Sequence, residues 1–154
     1  MILKSDRAEE LFRQGFNCSQ SVFTAFAEDY DLEEKMALKI SSSFGGGMGR
    51  MREVCGALSG AFMVIGLESG STVGNDSQAK KHNYDIVQKV AKKFKEENGS
   101  IYCRELLGLS KEIKDFSDTM PEERKKEYYE KRPCVEIVRN MCNIIEEIVL
   151  ERHE

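Results

Sequence analysis

The sequence contains no Trp, only two Pro and two His, and no excess of positive charge. Each shortage excludes something. With Pro confined to Pro121 and Pro133, little interrupts helices along the chain. A net charge of -4 gives no general attraction to nucleic acid or to an anionic membrane. Lysine groups such as Lys80-Lys81 and Arg124-Lys125-Lys126 lie among acidic residues and read as solvated helix faces. The longest uncharged stretch of helical character, Val54 to Leu67, falls short of the ~20 residues that span a bilayer. The opening residues Met1 to Asp6 have no apolar signal stretch, so a cytoplasmic location is expected. Also missing are Cys-x-x-Cys, Cys-x-x-Cys-His, His-Glu-x-x-His and the Gly-Lys-Ser/Thr ending of a phosphate loop.

What is present is helical period almost everywhere. At 154 residues the chain is the size of one ordinary domain, 1–154, and large enough to fold without metal or disulfide staples. Asp6 with Glu9 reads as a capping box, Ala8, Leu11 and Phe12 as a stripe, and Gly15 as the stop of a first helix. Asn17 caps a second helix carrying Val22, Phe23 and Phe26, and Asp31 a third with Leu32, Met36 and Ile40 in line. Gly45 to Gly49 form a flexible turn, followed by a fourth helix from about Arg50 to Leu67 in which Gly56 and Gly60 admit another backbone. Asp76 or Ser77 caps a long helix to about Glu97, with Ala79, Ile86, Val90 and Phe94 inward. A short helix runs from Ser100 through Leu107, residues 109–121 look irregular, Met120 to Glu123 start another helical stretch, and Pro133 opens a last helix. The expected class is all-α, a compact single-domain bundle of about six to seven helices.

The chemistry rests on cysteine, of which there are five. Cys18, Cys55, Cys103 and Cys134 fall on four different predicted helices, and Cys18, Cys103 and Cys134 lie in first turns. A helix N-terminus offers free N–H groups and partial positive charge, which favour thiolate, the nucleophilic and metal-ligating form. Small residues beside Cys55 clear space at its sulfur. Gly46 and Gly47 in the turn, with Gly56, are the candidate cofactor-binding glycines, able to present N–H groups to an anion or to sulfur. The same glycines equally serve to turn the chain and pack helices. Cys142 lies about 80° round the last helix from Cys134, on the Val138 and Ile145 side, and reads as core. His82 edges an apolar stripe, His153 sits near the C-terminus, and Met48, Met51 and Met63 read as core filler.

Cys55-Gly56-Ala57-Leu58-Ser59-Gly60 has the form Cys-Gly-Ala-x-x-Gly. It follows Asn17-Cys18-Ser19-Gln20 and Phe44-Gly45-Gly46-Gly47-Met48-Gly49-Arg50, and precedes Cys103-Arg104-Glu105-Leu106-Leu107-Gly108 and Cys134. This order resembles the C_GCAxxG_C_C family, to which a redox role is ascribed, over about residues 5 to 150. The resemblance implies that the four family cysteines are Cys18, Cys55, Cys103 and Cys134, with Cys142 outside the motif. A related domain accompanies haem modules in split-Soret cytochromes, where the cysteines are regarded as iron–sulfur ligands. This chain has no haem attachment motif, so that cytochrome role does not carry over.

Three functions stay open at this point. Four thiolates suit an iron–sulfur cluster or another thiolate-bound metal, with electron transfer to a redox partner protein or an oxidoreductase reaction as the function. Without a cofactor, the same cysteines suit thiol–disulfide chemistry. A non-catalytic helical interaction module with buried cysteines is the third. The glycines of the fourth helix allow packing within the chain or across a homodimer.

Overall fold

The stretch from Cys18 to Ala27 has no charged residue and, Gln20 apart, only small, apolar or aromatic side chains, so it has little polar surface to give to water. It becomes the central helix. A computed structural model describes residues 2–109, 115 and 117–151. Around the central α2 (Cys18–Ala27) pack α1 (Lys4–Arg13), α3 (Glu34–Ser41), α5 (Gly56–Ser69) and α9 (Cys134–Ile144). The long α6 (Ser77–Asn98) lies on α5 and α9, and α8 (Lys126–Lys131) brings Tyr128 and Tyr129 onto Phe12. Two single turns, α4 (Gly45–Met48) and α7 (Cys103–Leu106), complete the set. The class is all-α, as expected, and no helix among the described residues is long and apolar enough to cross a membrane.

The expected helix starts fare unevenly. Asn17 caps α2 with the reciprocal Gln20 bond, and Asp76 accepts from Ala79 N–H at the start of α6. Gly15 and Gly99 stop α1 and α6 in the left-handed region. Asp6 and Glu9, however, do not cap α1; both carboxylates turn to Arg139 on α9, at 2.9 and 3.0 Å. Asp31 does not cap α3 either, because it sits in the left-handed region at the end of a preceding 3-10 turn, and α3 begins two residues beyond Leu32. α3 buries Ala37 and Ser41, leaving Met36 and Ile40 about half exposed. Met120 to Glu123 are not helical, and the helix starts at Lys126. The predicted irregularity of 109–121 extends over residues 110–114 and 116, which lie outside the described residues, as does His153. His82 is exposed on α6, and Met51 is exposed where core packing was expected.

Closeness between α2 and α5 comes from glycine. A Cβ on Gly60 would stand 2.9 Å from the Ser19 carbonyl oxygen, and one on Gly56 would stand 3.2 Å from Ser19 N. The two backbones therefore touch within the chain. Ser21 and Ser59 return their hydroxyls to the preceding turn, to Asn17 O and Cys55 O, whereas the buried Ser19 hydroxyl has no partner among the described residues. Gly66, on the same helix, has open space where a Cβ would be. Opposite signs are expected: Gly60→Ala should destabilise the fold by about 1–3 kcal/mol through overpacking. Gly66→Ala should stabilise it by about 0.5–1 kcal/mol through helix propensity. Urea unfolding of the two variants checks both.

Candidate functional site: four helix-terminal cysteines on one cavity

Each site cysteine is placed by a different local device. Cys18 is the first residue of α2, behind the Asn17 cap. Asn17 also donates from Nδ2 to Ser42 O at 2.9 Å, and a Cβ on Gly45 would overlap the Asn17 side chain. The cap of α2 is thereby docked onto the glycine turn. From Gly46 to Arg50 every residue has φ between +63° and +71°, and Gly49 N–H bonds back to Gly45 O at 3.0 Å. This is one left-handed turn. Glycine suffers little there, whereas Met48 and Arg50 carry the usual side-chain penalty.

The turn shows why the fourth predicted helix starts late. Met51 bends back onto Met48, Arg52 is again left-handed, the stretch around Val54 is extended, and α5 begins only at Gly56 with Cys55 as its N-cap. The extended stretch pairs with the chain before α7: Cys55 N–H donates to Ile101 O at 2.8 Å, Cys103 N–H to Glu53 O at 2.7 Å, and Val54 bridges Tyr102. Arg104 clamps the pair through Arg52 O and the Glu53 carboxylate. Ser100 accepts from Tyr102 N–H and bonds Glu105, so α7 starts at Cys103 and not at Ser100. Pro133 is the N-cap of α9, and Cys134 is its first residue. All four cysteines thus stand at helix starts, Cys55 included, which the sequence placed inside a helix.

They line one cavity of about 360 Å³. Gly46, Gly47 and Gly56 line it as well. A Cβ on Gly47 would meet Cys103 Cβ at 2.6 Å, and one on Gly56 would meet Cys18 Cβ at 3.4 Å, so these glycines make room for the cysteines themselves. Four arginines that cysteine spacing gave no reason to expect also face it: Arg50, Arg52, Arg124 and Arg132. Arg52 Nη1 lies 3.5 Å from Cys103 Sγ. Arg124 closes one wall, donating to the carbonyls of Phe12 and Phe16 at the end of α1, with its guanidinium 4.5 Å from the Phe12 ring and 4.6 Å from that of Tyr128. Arg132 pairs with Glu122.

Helix starts alone do not make thiolates here. Burial pushes the Cys55 thiol up to about 12, against the pull of the Ala57 and Leu58 amides. Burial also raises Cys103, opposed by the Arg52 guanidinium. Cys18 is raised by its hydrogen bond to Cys134 and by burial. Cys134 alone goes down, to about 7, because it accepts that bond and faces Arg132 and Arg124. Cys142 is fully buried away from the cavity, and burial raises it strongly. Among the described residues, no three Cys, His, Asp or Glu side chains are grouped around one point as ligands of a metal ion.

These features define a class: an all-α protein in which four helix-terminal thiols surround one arginine-lined cavity. The family described as "Putative redox-active protein (C_GCAxxG_C_C)" matches residues 16–148, and the chain belongs to it. No curated protein and no solved structure matches the chain.

The thiol shifts give a direct expectation. In reduced, metal-free protein, iodoacetamide should modify Cys134 first, with a rate that rises through pH 7 as the thiolate forms. Arg132→Gln should move that midpoint upward, Cys134→Ser should abolish the fast phase, and Cys142 should react only on unfolding. Peptide mapping by mass spectrometry across a pH series reads all three.

Proposed function

We propose that the protein is an electron carrier in which Cys18, Cys55, Cys103 and Cys134 hold an iron–sulfur cluster. The carrying observation is the convergence of all four on one cavity lined by Arg50, Arg52, Arg124 and Arg132. A cluster with four thiolate ligands is anionic, and guanidinium groups with helix N-termini are the groups that offset such charge. A single Zn²⁺ draws its sulfurs to about 2.3 Å from one point. A cluster distributes its ligands over separate irons and accepts sulfurs set further apart. When bound, such a cluster supplies one-electron redox chemistry. The chain's own residues do the rest. Arg52 holds Cys103 by a charged N–H, Gly47 and Gly56 leave the sulfurs uncrowded, and Phe12, Leu106 and Ile137 keep part of the wall apolar.

Anaerobic reconstitution with iron and sulfide tests this reading. The expected product is coloured by thiolate-to-iron charge transfer and contains bound iron and labile sulfide. Serine at any one of the four positions should remove most of the colour, and Cys142→Ser should retain it. Wild-type protein that stays colourless and iron-free overturns the proposal.

A second reading has one specific observation in its favour, the hydrogen bond between the Cys18 and Cys134 side chains. The Cys134 thiolate would attack a disulfide substrate and release one thiol, and Cys18 would then displace the second thiol to leave a Cys18–Cys134 disulfide. Two electrons and two protons pass to the substrate in all. Oxidation of metal-free protein by glutathione disulfide, followed by mapping under non-reducing conditions, should then yield a Cys18–Cys134 linked peptide pair. Any other pairing, or mixed disulfides alone, excludes this route.

A further inference from the structure

The cavity holds two arginines, Arg50 and Arg52, that pair with no carboxylate among the described residues. Arg50 closes the left-handed turn, Arg52 follows it, and both side chains reach Gly46. A Cβ on Gly46 would meet Arg50 Cγ at 2.9 Å and Arg52 Nη1 at 3.8 Å, so the bare glycine lets the two side chains lie together. Arg52 is 7% exposed, and its guanidinium donates to the Cys103 sulfur. Arg50 Nη1 is buried and has no hydrogen-bond partner among the described residues. No carboxylate pairs with either arginine among the described residues, whereas Arg132, on the same cavity, is matched by Glu122 and Arg124 by two carbonyls. A buried guanidinium N–H without an acceptor is costly. Both arginines also occupy positive φ, +68° and +59°, where glycine would be less strained.

We propose that Arg50 and Arg52 form an anion-binding subsite for the carboxylate or other oxyanion group of a small molecule, held beside Cys103. A guanidinium fork matches the two oxygens of such a group, and the apolar wall formed by Leu106, Leu107 and Pro121 accommodates the rest of the molecule. What the bound molecule is for rests on the redox reading of the same cavity: the subsite fixes the reacting partner next to the thiol that Arg52 touches. Binding itself needs neither a cluster nor a disulfide.

Equilibrium dialysis of the reduced, metal-free full chain with labelled sulfate at low ionic strength, with succinate as competitor, tests the subsite. One saturable site is expected, and succinate should displace sulfate if a carboxylate fits the same fork. Arg50→Gly is the informative variant, because glycine accepts the φ of +68° and the turn keeps its shape. It should weaken binding about tenfold or more, and Arg50→Lys, which keeps charge but loses the fork, by less. Cys134→Ser should still bind sulfate, which separates this result from success or failure of cluster loading. Absence of saturable binding overturns the proposal, as does sulfate affinity of Arg50→Gly within twofold of wild type. Binding that appears only when all four cysteines are serine also overturns it, since the thiolates would then be the arginines' own partners.

Discussion

The contact between α2 and α5 is the constraint on which the rest depends. Gly56 and Gly60 bring the α5 backbone against Ser19, with a Gly60 Cβ position only 2.9 Å from a carbonyl oxygen. That approach fixes where both helices begin. Since Cys18 opens α2 and Cys55 caps α5, it also fixes the two cysteines at one rim. The other two are hung from this frame. The short antiparallel pairing of residues beside Cys55 with those before α7 brings in Cys103, and packing of α9 against α1, α2 and α5 brings in Cys134. The Cys-Gly-Ala-x-x-Gly motif is therefore as much a packing motif as a chemical one: its glycines make the contact, and its cysteine is carried along.

Electrostatics in the cavity is a contest between burial and cations. Burial wins at Cys55 and Cys103, whose thiols are raised, whereas at Cys134 the hydrogen bond accepted from Cys18 outweighs burial, with Arg132 and Arg124 adding to the lowering. A helix N-terminus adds only a fraction of a charge, which is too little to overcome loss of solvent around a sulfur. At Cys134 a hydrogen bond from the Cys18 thiol acts first, and two full charges nearby add to it. The arginines come from the segment before α5 and from the run between Arg124 and Arg132, neither of which carries a site cysteine within a helix. Scaffold and charge are thus contributed by different parts of the chain.

Much of this was legible in residue order. Asn17, Gly15, Asp76 and Gly99 mark helix ends by local chemistry, and local chemistry decided there. Cys18, Cys103 and Cys134 could be separated from Cys142 by helix-start position and Cys55 by the motif, and Cys142 is buried in the core. Failures occur where a distant partner outbid a local one. Asp6 and Glu9 prefer Arg139 across the α1–α9 contact to their own helix start. Arg50 to Val54 look helical by period, but the left-handed turn and the pairing with residues near Tyr102 hold them out of a helix. The stripe of Met36 and Ile40 has correct period and the wrong face, because Ala37 and Ser41 are small enough to let α3 sit close. The arginines were invisible for a simpler reason: no spacing rule connects Arg50 and Arg52 to Arg124 and Arg132 before the chain is folded.

The left-handed turn has one more consequence, for tolerance to sequence change. Gly45, Gly46 and Gly47 are held for three unrelated reasons: the Asn17 side chain, the Arg50 and Arg52 side chains, and the Cys103 Cβ each fill the place of a missing methyl group. No single replacement elsewhere can relieve all three clashes. The Gly45–Gly47 segment is therefore a joint at which the cap of α2, the cation pair and the α7 cysteine are mutually registered, and its atoms leave almost no freedom for gradual remodelling. Gly15, Gly74 and Gly108, with open space around them, are where the chain can diverge freely in side-chain volume, although Gly15 and Gly108 stay tied to positive φ.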